Sequence, residues 1–227
     1  MNERPTAAAA GKLDVGGDLT ANRPGFGAMR ITGPGVWGDP PDRERAIQAL
    51  RRAVALDVTF IDTADSYGPE VSERLIAESI GALAELKDEG KIRHIGVSNV
   101  TEDQFREAER VTAVVSVQNR YNVTDRSSEP MLDLCDQEMV VFIPWAPIEE
   151  TGAFPAVLAA ARRHRVSERQ VALAWLLTRS PQVLPIPGSG DPDHVEQNIA
   201  AASIDLTPEE IRAITLAVRP PTGERSR

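Results

Sequence analysis

The sequence predicts the α/β class: a parallel sheet covered by helices and closed into a barrel. Strand-like apolar runs recur at Gly25–Ile31, Val58–Ala64, Ile92–Ser98, Val114–Gln118, Val140–Trp145 and Val183–Ile186. They read as near-continuous apolar stretches, the pattern of parallel strands covered on both faces. Segments with helical spacing lie between them. Polar residues gather at the carboxyl ends of many different runs: Asp62, Ser98-Asn99, Gln118-Asn119, Trp145 and Ser189. An open doubly wound sheet should open its first helix with a Gly-x-Gly-x-x-Gly turn, and GFGAM at Gly25–Met29 lacks the third glycine. Sites assembled from many strand ends belong to the TIM-type (β/α) barrel.

Each element has its own local reason. Lys12–Arg23, KLDVGGDLTANR, places two short alternating segments around Gly16-Gly17, which predicts a hairpin ahead of the barrel. Arg43–Leu56 carries Ile47, Leu50 and Val54 on one helical face. Ser72–Gly90, SERLIAESIGALAELKDEG, reads as one amphipathic helix through Ile76, Ile80 and Leu83, capped by Ser72 and ended by Gly90. Thr101–Val111 opens on a threonine cap, and Pro155–His164 follows later in the chain. Glu168–Arg179 opens behind Ser167, Asp193–Ala202 comes next, and Pro208–Val218 starts behind Thr207. The reading gives one domain over residues 1–227, with residues 1–11 and 219–227 disordered.

Composition narrows the function. The chain has 227 residues, 25 Lys plus Arg against 34 Asp plus Glu, and a formal charge of −9. That balance offers no footprint for nucleic acid or an anionic membrane. No run approaches the roughly 18 apolar residues of a membrane span. MNERPTAAAAGK lacks the basic and apolar regions of a signal peptide, and a single cysteine excludes an internal disulfide. A cytoplasmic protein is expected, a monomer or weak homo-oligomer acting on a small molecule.

The motifs go further. FIDTADSYGPEVSE (Phe60–Glu73) is followed by GKIRHIGVSN (Gly90–Asn99) and VVSVQNRYN (Val114–Asn122). FIPWAPI (Phe142–Ile148) and LPIPGSGDPDHVEQN (Leu184–Asn198) complete the series. In order and in wording these resemble the signatures of the aldo-keto reductase family, over nearly the whole chain. The resemblance implies a (β/α)8 barrel that uses NADPH, less often NADH, to reduce aldehydes and ketones. It makes Tyr67 the proton donor and Asp62 the carboxylate behind it. Ser98, Asn99 and Gln118 would hold the nicotinamide carboxamide, and Trp145 would stack on the ring. Ala146, Pro147 and Ile148 would follow the pyrophosphate, with Ser189, His194, Gln197 and Asn198 around the adenosine and its 2′-phosphate. No metal is implied. Gly188 and His194 stand where other members put cations, and no Lys or Arg occurs from Pro181 to Ile211. NADPH is therefore expected to be favoured only modestly, more so below pH ~6.5 where a histidine gains charge, with NAD possible.

Two family residues are missing: a lysine ending the third barrel strand and a histidine ending the fourth. Lys12, Lys87 and Lys91 are the only lysines, and His94, His164 and His194 the only histidines. None follows a strand in the required place. SERLIAE resembles the start of the family's second helix, while GALAELKDEGKIRHIGVSN resembles the end of its fourth helix and its fifth strand. The third and fourth βα units are thus expected to be missing at about Ser79–Gly81, making the Ser72–Gly90 helix a splice of two. A catalytically impaired sensor or partner subunit that binds NADPH is the alternative reading. His94 shares strand parity with Gly96 and Ser98 and is expected in the core, low in the barrel; Cys135 is expected to be packing. Trp37 has two readings of equal weight, lining a pocket or packing on its own helix.

Overall fold

The computed structural model describes residues 5–27, 42–62, 84, 87–90, 93–148 and 154–217. A hairpin of β1 (Lys12–Val15) and β2 (Leu19–Asn22) comes first, then β3 (Phe26–Gly27), α1 (Arg43–Ala55) and β4 (Ile61–Asp62). β5 (Ile95–Ser98), α2 (Glu102–Val111), β6 (Val114–Arg120), α3 (Glu129–Gln137) and β7 (Val141–Trp145) follow in strict alternation. α4 (Pro155–His164), α5 (Glu168–Arg179), α6 (Pro192–Ala200) and α7 (Pro208–Ala217) complete the chain. Where they fall on described residues, the expected hairpin and helix positions agree to within about two residues, the usual latitude at frayed ends.

β5, β6 and β7 form one parallel sheet, and β3 pairs parallel with β4. Residues 182–185 join the two groups. Phe142 N–H donates to Gln182 O at 2.9 Å, Leu184 N–H donates to Phe142 O at 2.9 Å, and Gly25 N–H donates to Pro185 O at 2.9 Å. The strand expected over Val183–Ile186 is therefore corrected to a single parallel bridge, Phe142 with Val183. Pro185 and Pro187 explain this, since neither has an N–H to extend a ladder. The arc runs from β5 through β6, β7 and β3 to β4. Among the described residues β4 and β5 do not pair, so no closed barrel is formed there.

The sheet has two dissimilar faces. Val97, Val117 and Phe142 point outward into the main core beneath α2–α5 and α7, with Trp175, Leu173, Leu176 and Ile214. Val141, Ile143, Leu184 and Ile186 point inward and pack on Leu13, Val15 and Ala21, so the hairpin covers the interior. α1 lies on α6 through Ala49, Ala53, Leu56, Val195 and Ile199. Ala7 joins this cluster from a 3₁₀ turn at Ala7–Ala10 and donates its N–H to Leu56 O at 2.8 Å. Within the segment expected to be disordered, Ala7 is buried against α1 and Ala8 and Ala9 are exposed.

The hairpin is anchored by buried polar groups. Arg23 is 6% exposed and donates to Val183 O at 2.7 Å, Ser180 O at 3.0 Å and Leu177 O at 3.1 Å. Burial lowers its pKa to about 10, still well above neutral pH, and three carbonyls hold the charge. His94 pairs with Asp18 in the hairpin turn at 2.5 Å and lies against Gly16, at the amino-terminal end of β5. It is one-fifth exposed, a low interior histidine held by a carboxylate contact rather than a fully buried one. Cys135 is fully buried in α3, and burial pushes its thiol up to about 12.

Arg23→Met should orphan three buried carbonyls and lower stability by about 3 kcal/mol or more, with Arg23→Lys falling between. At this chain length that is roughly 6–12 °C in Tm. Urea unfolding with an unchanged midpoint in Arg23→Met would rule out this anchoring role.

Candidate functional site

The parallel register brings the carboxyl ends of three strands to one level. Ser98 pairs with Gln118, and Arg120 pairs with Trp145. Just past β5 the backbone of Asn99 turns into the left-handed region (φ 55°), which an asparagine tolerates better than most residues. Its N–H donates to Gln118 O at 2.9 Å, and Ser98 Oγ donates to the same carbonyl at 2.9 Å. Asn99 Nδ2 donates to Ser98 Oγ at 3.1 Å, while Trp145 Nε1 donates to Asn99 Oδ1 at 2.7 Å. Four of the residues singled out in the sequence thus form one connected cluster. Asn99 and Ser98 are exposed, and Trp145 is half-buried.

Buried amides fix this rim from below. Asn119, which faces outward, donates Nδ2 to Val100 O at 2.8 Å and accepts from Val100 N–H at 3.1 Å. Asn122 is fully buried; it donates to Ala146 O at 2.9 Å and accepts from the N–H groups of Thr124 and Asp125 at 2.8 Å. Ala146 has φ 50°, so the chain leaving Trp145 turns sharply and is held there. The Arg120 guanidinium lies 5.5 Å from the centre of the Trp145 ring and pairs with Asp125 at 3.2 Å.

A second part of the site is a cavity of about 360 Å³ lined by Ile148, Ser189, His194, Gln197 and Asn198, together with Arg169 and Asp191. Asp191 caps α6, accepting from Asp193 N–H at 3.0 Å, and pairs with Arg45 of α1 at 2.5 Å. That hydrogen bond from Arg45 holds the Asp191 carboxyl below the usual carboxylate range. His194 Nδ1 is 4.0 Å from the same carboxylate. Asn198 is 7% exposed, lines the cavity, and has no side-chain hydrogen-bond partner among the described residues. A buried amide left open toward a cavity has hydrogen-bonding capacity for a ligand with its own donors and acceptors. These residues therefore fit an adenosine group.

The sequence-expected residues fall into three groups. Ser98, Asn99, Gln118 and Trp145 meet at the rim; Ile148, Ser189, His194, Gln197 and Asn198 meet at the cavity; Ala146 and Pro147 link the two. Asp62 is placed by its backbone, in β4 opposite Gly27. Its side chain, Tyr67, Trp37, Lys91 and most of the Ser72–Gly90 helix lie outside the described residues. The end of that helix is described: Gly90 has φ 72° and donates its N–H to Lys87 O at 2.9 Å, as its cap position requires. Sequence reasoning missed Arg169, Arg45 and Asp191. Arg169 had one signal: the Ser167–Gln170 capping box fixes it in the first turn of α5.

The strand-alternating parallel sheet, with a rim and a cavity at its carboxyl-terminal side, places the chain in the α/β class with the strand–helix order of a barrel. Residues 25–82 and 76–219 match the aldo/keto reductase family, and the chain belongs to that family. The two matches overlap at residues 76–82. An uncharacterized oxidoreductase of Schizosaccharomyces pombe is 37% identical, over 89% of this chain and 88% of its own length. That alignment spans 271 positions but takes in only about 202 residues of this chain (89% of 227), so about 69 positions of the relative (271 minus 202) have no counterpart. Pyridoxine 4-dehydrogenase of Escherichia coli is 31% identical, over 87% of this chain and 95% of its length. An aldo-keto reductase from Klebsiella pneumoniae, solved with NADPH, superposes with TM-score 0.74 at 22% identity, covering 93% of this chain and 96% of that one. The chain is accordingly an oxidoreductase of this family with its barrel fold. No helix among the described residues is long and apolar enough to cross a membrane.

Gly188 explains the first missing cation. A Cβ there would fall well inside van der Waals contact with Gly27 O, a backbone atom of β3. No side chain fits without moving β3. Gly188→Ala should cost about 1–3 kcal/mol, read as a lower urea midpoint; an unaltered midpoint would mean that β3 and residue 188 separate freely.

Proposed function

We propose that the chain is an NADP(H)-dependent oxidoreductase that reduces an aldehyde or ketone, with Tyr67 as proton donor. The observation that carries this reading is the hydrogen-bonded cluster of Ser98, Asn99, Gln118 and Trp145 at the strand ends. A bound nicotinamide supplies hydride to the carbonyl carbon. The chain's own residues hold and orient the reactants. Trp145 offers a flat face whose tilt is fixed by its bond to Asn99. Ser98, Asn99 and Gln118 present side chains of the kind that pair with a carboxamide. Ala146, Pro147 and Ile148 follow the pyrophosphate, while Ser189, His194, Gln197 and Asn198 take the adenosine and its 2′-phosphate. The Tyr67 phenol gives its proton to the carbonyl oxygen, with Asp62 as the assisting carboxylate.

Turnover is proposed to be slow. No lysine is available to steady the tyrosinate as it forms, and no histidine to orient the carbonyl oxygen. Acid–base assistance is worth about 10²–10⁴-fold, and an orienting hydrogen bond adds a comparable factor. The loss of two βα units near Ser79–Gly81 accounts for both absences. The same incomplete set favours the second reading, an NADPH-binding sensor or partner subunit. The pyridoxine 4-dehydrogenase and NADH-specific methylglyoxal reductase relatives, 31% and 30% identical, support carbonyl chemistry and keep NAD open as a cofactor.

NADPH should quench tryptophan fluorescence saturably, and the quench should fall in Trp145→Phe, with any remainder assigned to Trp37 by Trp37→Phe. Trp175, buried and bonded to Thr215, supplies the constant background. A folded sample without saturable quenching or thermal shift at millimolar NADPH would refute the cofactor reading.

NADPH oxidation with a reactive aldehyde should proceed far below one turnover per second. Restoring a relative's two βα units should raise it by several orders of magnitude, and Tyr67→Phe should abolish the restored rate. Fast turnover of the unmodified chain that is lost in Tyr67→Phe would overturn the impairment and leave the enzyme reading in place.

A further inference from the structure

We propose that Arg169 supplies the cation that reads the adenosine 2′-phosphate and so sets the choice between NADP(H) and NAD(H); this rests on the NADP(H) reading above. The two cofactors differ at that phosphate, and a protein of net charge −9 must provide a local cation to hold it. The segment that carries Ser189 and His194 contains no lysine or arginine, and Gly27 leaves no room for one at position 188. A cation must come from another element. Arg169 projects from the first turn of α5 onto the wall of the cavity that Ser189, His194 and Asn198 share.

The arginine nearest the cavity wall besides Arg169 is already engaged. Arg45 is bonded to Asp191 at 2.5 Å, and His194 lies 4.0 Å from that same carboxylate. Arg169 is exposed and has no ion-pair or hydrogen-bond partner among the described residues. Its position is fixed from below: Gln170, its neighbour, closes the capping box with Ser167 and is buried. A free guanidinium on a pinned helical turn matches a phosphate by two parallel N–H donors, at a smaller entropy cost than a free-swinging ammonium. The open Asn198 amide on the same wall is an independent sign that this cavity awaits a polar ligand.

The test compares 2′,5′-ADP with 5′-AMP by calorimetry on the full chain, in wild type, Arg169→Gln and Arg169→Lys. Thermal unfolding checks that each variant is folded. Arg169→Gln should weaken 2′,5′-ADP by roughly tenfold to a hundredfold and leave 5′-AMP unchanged, since a hydrogen bond to a charged group has about that effect. Arg169→Lys should restore part of the loss. Equal weakening of both ligands would mean that Arg169 stacks on adenine instead, and no weakening of either would mean that it takes no part; each overturns the proposal while leaving the cofactor reading intact. Wild type that binds neither ligand would overturn the cofactor reading itself.

Discussion

The parallel register of β5, β6 and β7 is the constraint on which the rest of the molecule depends. Because Ser98 aligns with Gln118 and Arg120 aligns with Trp145, the three strands end at one level. Period-two alternation then sorts the side chains. Val97, Val117 and Phe142 enter the outer core, while Ser98 and Gln118 are left on the opposite side. A one-residue slip of β6 would exchange Val117 with Gln118, burying an amide and exposing a valine. The same register that builds the core therefore presents the polar cluster at the rim, and the two cannot be separated.

Stability and chemistry occupy opposite ends of these strands. At the amino-terminal end the hairpin closes the interior with Leu13, Val15 and Ala21, tied by Arg23 to carbonyls at 177, 180 and 183 and by Asp18 to His94. On the outer side, Tyr121 stacks on Trp175 and bonds to both Glu129 and Arg179, joining α3, α5 and the end of β6. Burial is the leading cause that holds the Tyr121 phenol protonated far above its ordinary range, so it serves as a structural tyrosine rather than a proton donor. Polar groups at the base are paired with one another. At the cavity wall Asn198 and Arg169 have no side-chain partner among the described residues.

Most of the secondary structure was legible because each element is specified locally. Capping boxes at Thr101 and Ser167, and Pro at the first turn of α4 and α6, fixed helix starts to within a residue. What failed depended on neighbours. The 183–186 run has strand composition, yet its prolines limit it to one bridge. The alanines at positions 7–10 carry no periodic signal, and only Ala7 is buried, against α1 and α6. The rim residues could be named because a linear motif holds them. Arg169 could not, since it stands twenty residues before Ser189 and meets it only through packing. The Arg45–Asp191 pair, 146 residues apart, is invisible for the same reason.

The arrangement of cores bears on how so short a member of this family holds together. The main cluster draws on residues from Ile95 to Ile214 and, among the described residues, on none before Ile95. β5–β7 and the helices around them thus bury their apolar faces against one another without help from the amino-terminal third. The amino-terminal elements use two separate clusters, one on α6 and one on the sheet interior. Loss of the third and fourth βα units near Ser79–Gly81 would precede every residue of the main cluster, while the other two clusters draw on chain from both sides of it. On the proposed reading it would remove the strand ends that carry a lysine and a histidine and spare the main cluster beneath Ser98, Asn99 and Trp145. The cavity wall formed by α6 rests instead on α1, so its shape depends on the amino-terminal elements as well as on the sheet.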